Sequence, residues 1–257
     1  MAKKDVVMKS SQDIDLYEGM SLDSNEGFEN VTGSDFVLPL IKVVQRTSNK
    51  IFDQNPDATP GQIFNSVNGE LYDGSEGLLV SLCFFEVMYV EMIPLDQGGG
   101  LVDFHKTLAN LDVKMESGKW ITKHDTYIIQ SNYHFVRVWE PEQFDGIVIL
   151  SSTQLKQSRL WMSMAKSLRM PNLPTQPLPL YHGMYRLTTR DEVKKTFKYK
   201  GWNVKFDRHP TQVELVEAKN LYETIKASKL NERRPFATEE IKEDLQSSIV
   251  IDSDIEM

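Results

Sequence analysis

In residues 194–206, Lys194, Lys195, Lys198, Lys200 and Lys205 are interleaved with the rings of Phe197, Tyr199, Trp202 and Phe206. A single nucleic-acid strand offers a phosphate charge and an exposed base face along its length. Alternating cations and rings meet both at once. On this reading Phe197, Tyr199 or Trp202 stacks a base for about 1–3 kcal/mol each, and the lysines release counterions and make binding salt-dependent. The same residues admit a plainer arrangement, with Trp202, Val204 and Phe206 facing a core and the lysines facing water. Upstream, Lys156, Arg159 and Lys166 fall on one helical stripe with Arg169 just beyond, a pattern that suits phosphate contact or a solvated face equally well. Tyr89, Tyr127, Tyr133 and Trp139 are further rings, more in keeping with a core.

The charge map isolates this region. Residues 153–208 carry twelve basic side chains and three acidic ones, net +9 in a chain of net charge −8. Residues 1–36 hold three lysines against eight carboxylates, and 237–257 hold one lysine against seven. A basic middle between acidic ends points to a polyanion partner for the middle and an interaction or shielding role for the ends. The last stretch mixes Asp252, Asp254 and Glu256 with Ile249, Val250, Ile251, Ile255 and Met257. Such a tail suits a basic groove when nucleic acid is absent and a protein partner when displaced; the plainer alternative is a solubilising tail.

Other chemistry finds little support. His105, His124, His134, His182 and His209 are scattered without metal-ligand spacing. Gly98-Gly99-Gly100 is not followed by Lys-Ser or Lys-Thr, so it is no phosphate loop, and there is no Gly-x-Ser-x-Gly elbow. The carboxylate pairs Asp13/Asp15 and Asp252/Asp254 sit in the terminal stretches. The expectation is a protein that is not an enzyme and needs no cofactor or metal. Nothing resembles a helix-turn-helix or zinc finger, so duplex base readout is not expected. The lone Cys83 lies in an apolar run and reads as a buried small hydrophobe in a reducing compartment. No stretch approaches a bilayer span and no apolar leader follows Met1, which predicts a soluble intracellular protein.

Three regions are expected: a flexible acidic arm at 1–34, one β-rich domain at 35–232, and a disordered acidic tail at 233–257. Pro39 marks an extended edge, 49–60 reads as a loop, and Asn68-Gly69 signals a hairpin. Strands are predicted over 78–93, 126–139, 147–150 and 181–189, with a mobile break at Gly98-Gly99-Gly100 and an extended Pro-rich link at 171–179. Short-range turns between strands suggest an antiparallel barrel or highly curved sheet. The 3.6-residue period predicts a helix near 153–170, capped by Ser152 or Thr153, with Leu160, Trp161, Met164, Ala165 and Leu168 inward. A second helix is expected near 211–230, burying Val213, Leu215, Val216, Leu221, Ile225 and Leu230. A phase change at Gly201 predicts a hairpin or bulge there.

Acidic arm, β-rich core with a basic aromatic surface, and acidic tail together resemble a bacteriophage single-stranded DNA-binding protein. Residues 38–46 and 60–72 also resemble a group of phage early-region proteins, in which Pro-x-x-Lys-x-x-Gln precedes a Gly-x-x-x-Asn-x-x-x-Gly-Glu turn. The resemblance implies a β-rich α+β fold: an OB-like antiparallel barrel elaborated with the two helices. It also implies sequence-independent binding of single-stranded DNA, with RNA not separated from it, during replication and recombination in the cytoplasm of an infected bacterial host. The tail resembles the acidic tip by which bacterial single-strand binders recruit replication enzymes, but departs from it by lacking a terminal Pro-Phe. From a different class, a non-enzymatic phage interaction protein fits as well, either a virion component or an inhibitor of a host nuclease whose basic segment binds an acidic protein. An annealing or nucleic-acid-processing enzyme is the third reading.

Overall fold

The computed structural model describes residues 37–116, 119–170, 173–194 and 197–230. The arm at 1–34 and the tail at 233–257, with Asp252, Asp254, Ile255, Glu256 and Met257, lie outside the described residues. A small antiparallel sheet comes first: β1 (Ile41–Val43), β2 (Ile63–Asn65) and β3 (Leu71–Tyr72), in that order, with α1 (Asn49–Gln54) between β1 and β2. The stretch read as a loop thus holds a short helix, because Ile51 packs with Val44, Ala58 and Phe64. The Asn68-Gly69 turn is present between β2 and β3. Asn65 Oδ1 accepts from the Val67 N–H at 3.0 Å, and Gly69 sits at φ 76°.

The main sheet is built from β4 (Leu78–Ile93), β5 (Gly100–His105), β6 (Val113–Glu116), β7 (Lys119–Thr122), β8 (Tyr127–Glu140) and β9 (Phe144–Ser151). It is completed, after α2 (Leu155–Ser167) and a small antiparallel pair β10 (Arg169–Met170) and β11 (Leu173–Pro177), by β12 (Met184–Lys194) and β13 (Phe197–Arg208). The last element is α3 (Gln212–Leu230). All eight strands pair antiparallel in the order β13-β12-β4-β8-β7-β6, with β5 on β4 and β9 on β8.

Five of these strands, in spatial order β9-β8-β4-β12-β13, form an OB-like barrel with α2 inserted between β9 and β12. Their alternate residues point inward: Val80 and Leu82, Val136 and Val138, Val148 and Leu150, Tyr185 and Leu187, Trp202 and Val204 share one buried cluster with Trp161 and Ala165 of α2. Burying each such side chain contributes about 1.5–3 kcal/mol. Register shifts at Leu79/Val80 and Leu82/Phe84 let β4 coil around this interior. Against the outer face lies a second cluster, in which Phe135, Tyr133 and Ile147 meet Leu40 and the Ala218, Leu221 and Ile225 face of α3.

Segment 39–45 closes the barrel. At one end the Ile147 N–H donates to the Pro39 carbonyl at 2.9 Å and Leu40 bridges Ile147 in parallel. At the other end Gln45 grips the backbone of Lys200 on the outer edge of β13.

Several expectations need correction. Gly98-Gly99-Gly100 is a tight turn that returns β4 into β5, with φ of 101°, 64° and 133° at the three glycines, values that L side chains rarely adopt. The lobe β5 to β7 gave too weak an alternation to be read. β13 runs unbroken through Gly201; the hairpin turns instead between Lys194 and Phe197. The Pro-rich link contains β11, which pairs with β10 just before the link. Leu160 is 48 % exposed, and the buried face of α2 is Gln157, Ser158, Trp161 and Ala165. Neither Ser152 nor Thr153 caps that helix by its side chain; a 3₁₀ turn over Ser152–Gln154 precedes it. On α3, Val213 and Val216 are exposed, and the side that packs on the barrel carries Ala218, Leu221 and Ile225; the Leu230 side chain lies outside what is described.

Candidate nucleic-acid interface

The basic segment folds as the β12–β13 hairpin packed beside the start of α2. Antiparallel register sets Glu192 opposite Tyr199, Arg190 opposite Gly201, Asp191 opposite Lys200 and Arg186 opposite Lys205. Paired residues share a face, so Lys198 and Lys200 project to one side and Tyr199 and Lys205 to the other.

Glu192, 7 % exposed, is the organising residue of this hairpin. Its Oε2 accepts from the Tyr199 hydroxyl at 2.6 Å and lies 3.1 Å from Lys156 Nζ; its Oε1 accepts from Arg190 Nη2 at 2.8 Å. Burial pushes the carboxyl up, but the hydrogen bonds from Tyr199, Arg190 and Lys156 outweigh it and hold Glu192 below the usual carboxylate range. Gln154 completes the knot, its Nε2 donating to Glu192 Oε2 at 3.4 Å and its Oε1 accepting from the Trp202 N–H at 2.9 Å. A Cβ at Gly201 would lie 2.7 Å from Gln154 Nε2 and 2.9 Å from Glu192 Oε1, so glycine is what the close approach allows.

Of the rings in 194–206, Phe206 is exposed at 39 %, while Tyr199 and Trp202 are not on the surface. Tyr199 is 8 % and Trp202 5 % exposed. Trp202 belongs to the barrel interior and Tyr199 is tied to Glu192, so the assignment of both as base-stacking residues is corrected: packing, not solvent, covers them. Lys195 lies outside the described residues, and of Phe197 the backbone alone is described. Of the further rings, Tyr133 and Trp139 are buried, and Tyr89 and Tyr127 are half-buried.

The cations divide into two groups. Lys156, Arg190 and Lys200 are already in ion pairs, the last with Asp191 Oδ1 at 3.0 Å. Arg169 donates to the Lys166 and Leu168 carbonyls. Exposed to solvent are Arg159 and Lys166 on the outer stripe of α2, and Lys198 and Lys205 on β13; Lys194 is half-buried at the hairpin tip. They make a dispersed positive surface rather than one groove.

In an OB-like barrel the second and third strands and the loops joining strands one to two and four to five carry ligands. Here those strands are β8 and β9, and the Leu38, Leu40 and α3 contacts cover their outer face. The fourth-to-fifth connection is the tip between Lys194 and Phe197, where the lysines lie.

Sequence reading missed Glu192, Gln154 and Gln45. Only Gln45 carried a signal, as the last residue of the Pro-x-x-Lys-x-x-Gln segment. Buried in the barrel, Asn132 Nδ2 donates to Ser158 Oγ at 2.7 Å and Ser158 Oγ lies 3.1 Å from His134 Nε2. Both Ser158 and His134 are 0 % exposed, so this pair is closed to solvent. Among the described residues no three His, Cys, Asp or Glu side chains lie close enough to hold a metal ion. No helix among them is long and apolar enough to cross a membrane.

Comparison with known proteins returns one family. The model described as Pam3 phage gp34-like protein matches residues 9–231. No curated protein and no solved structure matches.

Proposed function

The chain belongs to the Pam3 phage gp34-like family, and we propose that in this phage setting it is a non-enzymatic, sequence-independent binder of single-stranded DNA. A phage protein acts in an infected host cell, and the proposed role there is replication and recombination. The observation that carries the reading is the pairing of an OB-like strand order with lysines at the β12–β13 tip, where such barrels present a ligand loop. The proposed contacts are to phosphate, from Arg159, Lys166, Arg169, Lys194, Lys198 and Lys205. With Tyr199 and Trp202 buried, stacking is the lesser part. The acidic tail is the proposed autoinhibitory or partner-recruiting element, and removing 249–257 is expected to tighten DNA binding.

A labelled oligothymidylate and a duplex of equal length, titrated between about 50 and 200 mM salt, test the proposal by fluorescence anisotropy. Preferred binding of the single strand, weakening steeply with salt, is the expected result. Absence of binding at the low-salt end would overturn it. Burial of Tyr199 and Trp202 favours one other reading, a phage interaction protein whose basic surface meets an acidic protein. That reading predicts no preference for the single strand over the duplex.

A further inference from the structure

We infer that residues 249–257 of this same chain dock in the apolar cleft beside α2, with their aliphatic side chains inside it and their carboxylates on its basic rim. The cleft has a volume of about 310 Å³ and is lined by Met162 and Ala165 of α2 and by Pro177, Leu178 and Leu180 beyond it, with Lys166 among them. That is about twice the roughly 150 Å³ that holds a benzene, so aliphatic side chains fit. Leu178 and Leu180 are half-buried and Pro177 is exposed, so apolar surface here faces water. Charge selects the occupant. Residues 153–190 contain no Asp or Glu, in a chain that has 37, and no acidic side chain is among the described residues lining the cleft. Lys166 is exposed at the rim, and Arg159, two turns earlier on the same stripe of α2, is exposed as well. The fitting partner is therefore aliphatic and acidic together. Ile249, Val250, Ile251 and Ile255 supply the first property, Asp252, Asp254 and Glu256 the second, and 249–257 hold no Lys or Arg. Exposed ion pairs are weak, so burial of the aliphatics carries the docking and the carboxylates orient it. The chain also reaches. The Tyr222 ring of α3 lies 5.6 Å from that of Tyr181, which follows Leu180 of the cleft. Beyond Leu230, residues 231–248 supply eighteen links, which span up to roughly 60 Å when extended. A covalent tether raises the effective concentration toward the millimolar range, so even a weak contact is populated.

The docking itself does not depend on DNA; its consequence, that a docked tail withholds Arg159 and Lys166 from phosphate, rests on the function proposed above. The test places a nitroxide at Ser253→Cys in the isotope-labelled full chain, Cys83 being buried and out of reach of the label. Paramagnetic broadening of the Met162, Ala165, Lys166 and Leu178 amides is expected. Adding Ile251→Ser/Ile255→Ser should lower the docking constant about ten-fold or more and restore those signals. Lys166→Glu, at an exposed position on the rim, should reduce the broadening as well. Absence of broadening, or broadening that neither variant alters, overturns the site. Broadening in a mixture of spin-labelled chain without isotope and isotope-labelled chain without nitroxide assigns the tail to a second copy, and overturns docking within one chain. Oligothymidylate anisotropy is read separately. Docking without DNA binding leaves the cleft assignment standing and removes the proposed function; DNA binding without broadening does the opposite.

Discussion

Gln45 and Lys200, 155 residues apart, are joined by both ends of one amide. Gln45 Nε2 donates to the Lys200 carbonyl at 2.7 Å, and the Lys200 N–H donates to Gln45 Oε1 at 3.0 Å. The side chain thereby does what a neighbouring strand would do for the outer edge of β13. Gln45→Ala leaves two half-buried backbone groups without these partners and should destabilise by about 1–3 kcal/mol. Gln45→Glu keeps the acceptor for the Lys200 N–H and loses the donor, so it should fall between. Urea denaturation of the three proteins checks the order; equal midpoints would show that the clamp is dispensable.

Two glycines are set by close approach. A Cβ on Gly74 would stand 1.8 Å from the Gly61 carbonyl oxygen, whose lone pairs also accept the Thr189 hydroxyl at 2.6 Å. A Cβ on Gly201 would press on Gln154 and Glu192. Gly74→Ala meets rigid backbone and Gly201→Ala meets side-chain ends, so the first should cost more, within the roughly 1–3 kcal/mol or somewhat above typical of overpacking. Thermal melts of both variants test the ranking.

His134 gives the fold a response to mild acid. Its ring stacks on Trp161 at 4.8 Å and 2°, and its Nδ1 donates to the Val148 carbonyl at 3.2 Å. Burial pushes its pKa down to about 4, whereas in the unfolded chain it titrates near 6.5. Between those values the unfolded chain binds more protons, so stability is full near neutrality and falls as pH drops through that window, by up to about 1.4 kcal/mol per pH unit. His182, lowered by burial and by His209, adds to the same slope. His134→Gln should remove the larger part. Urea midpoints at about pH 7 and about pH 5.5 measure it; an unchanged difference would assign the slope elsewhere.

Trp202 and the exposed lysines should separate cleanly. Trp202→Ala opens the barrel interior and is expected to cost about 3–5 kcal/mol of stability, leaving the salt dependence of oligothymidylate binding as it was. Lys198→Ala and Lys205→Ala should leave stability within about 0.5 kcal/mol and each reduce the salt slope by about one. Parallel denaturation and anisotropy measurements decide, and a lysine variant with an unaltered slope would remove that residue from the interface.

The two-residue alternation of 78–93 and 126–139, the Asn68-Gly69 turn, the helical periods near 153–170 and 211–230 and the segregation of charge are local properties, and each is legible without coordinates. The strand class of the fold followed from them. What they leave open is which face of a strand is covered. Alternation says that Trp202 and Val204 share a side, and that Tyr199 lies opposite; it does not say that α2 and segment 39–45 close over both. Nor does Glu192 differ in sequence from its exposed neighbour Asp191; only the register that sets Tyr199 beside it, and the helix start that brings Lys156 and Gln154, make it the buried knot of the hairpin. The contacts with Lys156 and Gln154 join residues tens of positions apart, and pairing over such distances is decided by the whole barrel interior rather than by any local run. So the sequence by itself determined strands, helices and a basic middle, and the tertiary structure decided that Tyr199 and Trp202 are buried and that part of its charge is already paired.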